Sequence, residues 1–166
     1  MHQTHYRSSV AIRTRLLLRL APVIVGIAIA GCNRKEQAPS ARQAAAVNRR
    51  LARYELLVTQ MAHDSIASLF LPNGVLANAG QPSITGREEI REYLKSLDDY
   101  YVLEERMMPE STVVDADSVT QHGTFEQRYR SPKGDTVEVS GDFRAVWLRD
   151  SDNRWKMRCM ETTTGT

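Results

Sequence analysis

Apolar and polar positions along this 166-residue chain follow four successive patterns. Near the N-terminus, Leu20 to Ala30 is an eleven-residue run without a charged side chain. Residues 33 to about 45 have no apolar period and read as a tether. From Val47 the spacing becomes helical: Val47, Leu51, Tyr54, Val58 and Met61 form one stripe of an amphipathic helix. Asp64 is placed to cap a short second helix that buries Ile66, Leu69 and Phe70 and ends at Pro72-Asn73-Gly74. Val75 to Ala79 is a short strand candidate, followed by a turn at Gly80-Gln81-Pro82. Thr85-Gly86-Arg87-Glu88 has the Thr-x-x-Glu form of a capping box. Behind it, Ile90, Tyr93, Leu94 and Leu97 recur at i, i+3, i+4 and i+7.

After Asp98-Asp99 the character turns to strands. Tyr101–Val114, Ser118–Arg130, Thr136–Leu148 and Asn153–Thr162 alternate or are rich in β-formers. Their separators are short and turn-like, so neighbouring strands are expected to run antiparallel. Asp115/Asp117 and Asp150/Asp152 fall in these separators without the Gly and distal Glu of a calcium loop. Gly123 and Gly141 mark either bulges that bend the strands or weak points within them. Helices first and a meander afterwards make an α+β domain, and about 120 residues suffice for one core.

The N-terminal pattern changes the charge balance. Arg7, Arg13, Arg15 and Arg19 precede or flank the apolar run, no acid accompanies them, and Gly31-Cys32 follows. A basic start, a short apolar stretch and small residues describe a removable export signal. The ending Ile29-Ala30-Gly31-Cys32 resembles the lipobox of bacterial lipoproteins, which implies lipid attachment at Cys32. Residues 1–31 are then the signal peptide, 32–45 the lipidated cysteine and tether, and 46–166 the folded domain. The alternative is an uncleaved anchor, but eleven residues reach roughly 16 Å as a helix, about half a bilayer core. Asn33 stands where lipoproteins retained at the inner membrane typically have Asp, so the resemblance implies the outer membrane, facing the periplasm. Removing four of the 22 Lys and Arg residues leaves 18 against 20 Asp and Glu, and the net charge of +2 becomes −2. The basic balance is therefore a targeting signal, and no nucleic-acid partner is expected. With Cys32 lipidated, Cys159 is alone and reads as a small buried hydrophobe. His63 and His122 lie far apart with no metal motif around either, so neither a metal nor a cofactor is expected.

The order of elements after residue 46 resembles the nuclear-transport-factor-2-like (NTF2-like) superfamily, which includes ketosteroid isomerases and SnoaL-type cyclases. The residues carrying the resemblance are Arg53-Tyr54, Asp64 to Phe70, Ile84 to Arg91, Val146-Trp147-Leu148 and Arg154 to Met157. The implied fold is a cone: N-terminal helices on a curved, mostly antiparallel sheet, with a pocket open at one end. In ketosteroid isomerases a first-helix Tyr holds the oxyanion and an Asp moves the proton. By spacing, Tyr54 falls on the donor position; the alternative is a packed Tyr with its hydroxyl at the cavity rim. The base position falls on Asn78, and an amide cannot abstract a carbon acid's proton. The second donor acid is ambiguous among Asp142, Arg144 and their neighbours. Glu161, in register with Trp155, Met157 and Cys159, is a substitute base candidate, and His122 and His63 are alternatives. His63 reads as a solvated turn histidine. Ser65, Ser68 and Ser140 lack a nucleophile context.

Three functions follow from this. The first is a non-catalytic domain binding a small apolar or amphipathic ligand through Tyr54 and Asn78. The second is an isomerase-like or SnoaL-like enzyme using Tyr54 with an unplaced acid. The third is a dimeric envelope scaffold. Relatives that pair through their sheets, and a charged outer face around Glu138, Arg144, Lys156 and Arg158, imply a weak or salt-sensitive homodimer. The lipid anchor is directly testable: a fatty-acid probe should label the wild-type protein and fail to label Cys32→Ser. Equal labelling of the two would remove the membrane from the picture.

Overall fold

The structure, a computed structural model, describes residues 39–165. The signal segment, Cys32 and the first part of the tether lie outside the described residues. Helix α1 (Pro39–Thr59) starts well before Val47, where the apolar stripe begins. Ala, Arg and Gln dominate residues 41–46, and these residues favour helix without needing an apolar face. Val47, Leu51, Leu57 and Val58 are buried, and Tyr54 packs against the same core.

Helix α2 (His63–Ala67) is capped by Ala62, without a side-chain bond. Asp64 therefore lies inside the helix and not at its cap, and its carboxylate pairs with Arg91 Nε at 3.0 Å. Leu69 and Phe70 are buried as expected but not within α2, because Phe70 opens strand β1 (Phe70–Ala77). Pro72-Asn73-Gly74 does not end a helix. It lies inside β1, where the register against the neighbouring strand shifts between Phe70 and Val75. A two-residue strand β2 (Ile84–Thr85) pairs with β1 and leads into α3 (Arg87–Lys95).

The capping box does not form. The cap of α3 is Gly86 at φ 109°, with no side-chain hydrogen bond, and Thr85 is held in β2 opposite Val75. The left-handed φ selects glycine. In its place, Gly86 N–H donates to Gly74 O at 2.8 Å, and Arg87 donates to the Phe70 carbonyl from Nε (2.9 Å) and from a terminal nitrogen (2.7 Å). These bonds fix α3 to β1.

Strands β3 (Tyr101–Val114), β4 (Ser118–Arg130), β5 (Thr136–Arg149) and β6 (Trp155–Thr164) lie within two residues of their expected bounds. The six strands form one curved, open sheet in the order β2-β1-β6-β5-β4-β3. Every neighbouring pair is antiparallel except β1 with β6. Helix α1 packs chiefly on β3, and α3 on β1 and α2. Gly123 sits opposite a register shift in β3 between Pro109 and Ser111, and a Cβ there would lie 2.0 Å from Met108 O. Gly141 is different. Its register is unbroken, and glycine is needed because a Cβ would lie 1.8 Å from Thr163 O.

Among the described residues, one polar side chain is wholly buried in the core. The Gln121 amide accepts from Trp147 Nε1 at 2.9 Å and donates to Asn48 Oδ1 of α1 at 2.8 Å. Gln121→Met keeps the volume but strands the Trp147 indole N–H in apolar surroundings. The expected cost is about 1–3 kcal/mol of unfolding free energy, read by urea denaturation; an unchanged midpoint would show that water or a neighbour replaces the amide.

Candidate functional site

The concave face of the sheet and the helices above it enclose a cavity of about 480 Å³. Val58, Ile66, Leu76, Leu94, Phe125 and Val139 supply apolar wall. Both sequence-selected residues reach it: Tyr54 from α1, and Asn78 just past β1. Asn78 Nδ2 lies 3.4 Å from Tyr93 Oη, a long and weak hydrogen bond.

The carboxylate in this cavity is Glu105, which sequence analysis did not select. It sits on β3 opposite Gln127 of β4, and Gln127 Nε2 donates to Glu105 Oε2 at 2.7 Å. A bulge makes this possible. Val102 pairs with Tyr129 and Glu104 with Arg128, so Leu103 is an extra residue on β3. Strict alternation would put Val102 and Glu105 on opposite faces. With one residue inserted, Val102, Glu105 and Met107 stand opposite Tyr129, Gln127 and Phe125, all three of which line the cavity. A trace of this is visible in the sequence: Tyr101-Val102-Leu103 followed by Glu104-Glu105 breaks the period of two.

Burial pushes the Glu105 carboxyl up to about 7; the Gln127 hydrogen bond opposes the shift and the nearby Glu55 adds to it. Glu55 in turn accepts the Met107 backbone N–H at 2.5 Å, joining α1 to β3. Burial also raises the Tyr54 phenol, helped by Glu105 and Tyr93, so Tyr54 is a hydrogen-bond donor throughout the working pH range. The cavity thus combines an apolar wall, phenols led by Tyr54, the amides of Asn78, Gln81 and Gln127, and one carboxyl able to gain or lose a proton near neutrality.

Glu161 does not line the cavity. The register of β6 shifts between Val146/Cys159 and Trp147/Met157, so Arg158 is extra and Glu161 leaves the face shared by Trp155 and Met157. It pairs with Arg144 at 3.0 Å on the outer face. His122, opposite Arg144, is exposed, as are Arg144 and Asp142. None of these four lines the cavity. Cys159 is part-buried, and burial and then Glu161 push its thiol up to about 11, consistent with an inert position. His63, expected to be solvated, has only 11% of its side chain exposed and lines the cavity. Among the described residues, no group of three or more His, Cys, Asp or Glu could hold a metal.

A profile of the SnoaL-like domain family matches residues 39–161. The chain belongs to that family. Solved structures agree on the fold. A ketosteroid isomerase-like protein from Erwinia carotovora atroseptica superimposes with a TM-score of 0.66 at 14% identity, covering 74% of this chain and 95% of that one. A protein of unknown function from Mycobacterium tuberculosis gives 0.68 at 18%, covering 78% of each chain. A Catenulispora acidiphila protein in complex with S-DNPA gives 0.61 at 21%, covering 75% of this chain and 94% of that one. No curated protein matches the chain.

The position of Glu105 makes the stability of this SnoaL-like domain depend on pH. Its folded pKa of about 7 lies above the ordinary 4.5, so between these values the folded state holds a proton that the unfolded state has released. That contribution is complete below about pH 4.5 and is lost as pH rises through about 7. Its full size is on the order of 3 kcal/mol. The stability of Glu105→Gln minus that of wild type should therefore grow from pH 5 to about pH 8. A difference independent of pH would place the carboxylate in water.

Proposed function

We propose that the cone binds a small, largely apolar molecule bearing a carbonyl or hydroxyl group, and that Cys32 tethers the domain to the envelope membrane. The observation carrying the first part is the cavity itself. Its volume of about 480 Å³ falls within the range of about 300–1,000 Å³ usual for small-molecule sites, and its lining sets polar groups among apolar walls. Tyr54 donates to a ligand oxygen and Asn78 orients it from just past the end of β1. The export motif supports the tether. Among the described residues no helix is long and apolar enough to cross a membrane.

A second reading is favoured by one specific observation, Glu105. A carboxyl held near neutrality beside a phenol donor supplies both halves of a proton transfer between carbons: the base, and the donor that stabilises the resulting oxyanion. Glu105 would then be the acid that accompanies Tyr54, with Asn78 as a binding group.

Nile red titration tests the binding reading. Tyr54→Ala and the bulky Asn78→Trp should each weaken probe binding by about tenfold, a loss of roughly 1.4 kcal/mol. Unchanged affinity in both would place binding elsewhere. Incubation with a 3-oxosteroid separates the two readings, since a purely binding domain leaves it unisomerised. Turnover that rises as pH passes about 7 and disappears in Glu105→Gln would make the domain an enzyme.

A further inference from the structure

His63 belongs to neither proton-transfer partner nor to the pair singled out by sequence. It opens α2 and lies in the wall between two hollows: the cavity, and an outer depression that it shares with Asp98 and Lys95. Its Nδ1 stands 3.2 Å from Asp98 Oδ1, and Asp98 lines only the outer depression. Its Nε2 is buried and has no hydrogen-bond partner among the described residues. In a neutral imidazole the nitrogen facing a carboxylate carries the proton, and the other nitrogen presents a lone pair. A buried acceptor without a partner is costly unless something else fills the role.

We propose that His63 Nε2 accepts a hydrogen bond from the molecule in the cavity, with Asp98 as a positioning residue that fixes the tautomer from outside. The inference rests on the ligand-binding reading and narrows it. Tyr54 supplies a donor, whereas His63 requires one. The ligand is therefore a small apolar molecule carrying a hydroxyl or N–H group, and one bearing only carbonyl or ether oxygens is a poorer fit. This subsite lies on α2 and is separate in sequence from the Glu105–Gln127 pair on β3 and β4.

Two probes of the same ring, 2-naphthol and 2-methoxynaphthalene, share an aryl oxygen, and only the first carries a donor. At about pH 8, wild-type full chain should bind 2-naphthol about tenfold more tightly, the worth of one good hydrogen bond. His63→Phe should lose the preference and bind both probes alike. Asp98→Ala, at an exposed position, should lower the preference only in part and shift the ring's tautomer balance in nitrogen-15 spectra. A preference that persists in His63→Phe would assign donor recognition to Glu105 or Tyr54 and overturn the inference, leaving the cavity reading standing. Failure of wild type to bind either probe would overturn both. If His63→Phe does not fold, the wild-type nitrogen-15 spectrum decides: the Nε2 signal should move upfield with 2-naphthol and stay in place with 2-methoxynaphthalene. No movement with either bound probe would overturn the inference.

Discussion

Gln121 lies wholly buried between the sheet and α1, with the Trp147 indole donating to its oxygen and its nitrogen donating to Asn48. Apolar packing alone sets no register for a helix on a sheet, because a stripe of Val and Leu slides at little cost. A buried amide is more demanding. Left unpaired it costs more than the bond contributes when made, so only the placement that satisfies both of its ends is low in energy. Tyr54 follows Asn48 by six residues, about 9 Å along the helix. The placement that brings Asn48 to Gln121 therefore also sets where the Tyr54 phenol enters the cavity. The Glu55 carboxylate on the Met107 amide is a second tie between α1 and the sheet.

The electrostatics of the site follow from what surrounds Glu105. Its nearest polar partner is the Gln127 amide, a neutral donor that only partly offsets the loss of water. Glu55 adds a like charge, so the proton is held to near neutral pH. The surface carboxylates behave differently. Glu161 pairs with Arg144, and Asp150 accepts from the backbone and guanidinium of Arg154, both in contact with water. Exposed pairs of that kind contribute little to stability and have no access to the cavity. His63 is held by Asp98 in the same wall, so the cavity has polar groups from both helical and sheet elements, each oriented by a neighbour.

Much of the fold was legible. The four long strands, the apolar stripe of α1 and the periodic face of α3 follow directly from period and turn chemistry. Helix starts were not legible in the same way. The Thr85–Glu88 box and the Asp64 cap depend on local side-chain bonds, and tertiary contacts took both residues elsewhere: Thr85 into a strand pair and Asp64 to Arg91. In α1, alanine-rich propensity extended the helix into residues whose pattern carried no apolar face.

The sequence by itself determined the layer order, the lengths of the four long strands, the cavity-facing Tyr54 and the family. These depend on spacings that survive any small shift of the backbone. The tertiary structure decided which carboxylate faces inward. Extra residues at Leu103 and Arg158 each reverse the alternation of the residues that follow, turning Glu105 in and Glu161 out. A bulge needs only one unpaired residue and has no required side chain, so the period of two carries at most a trace of it. The same limit applies to His63: a turn histidine and a buried one read alike until Asp98, 35 residues further on, is folded against it.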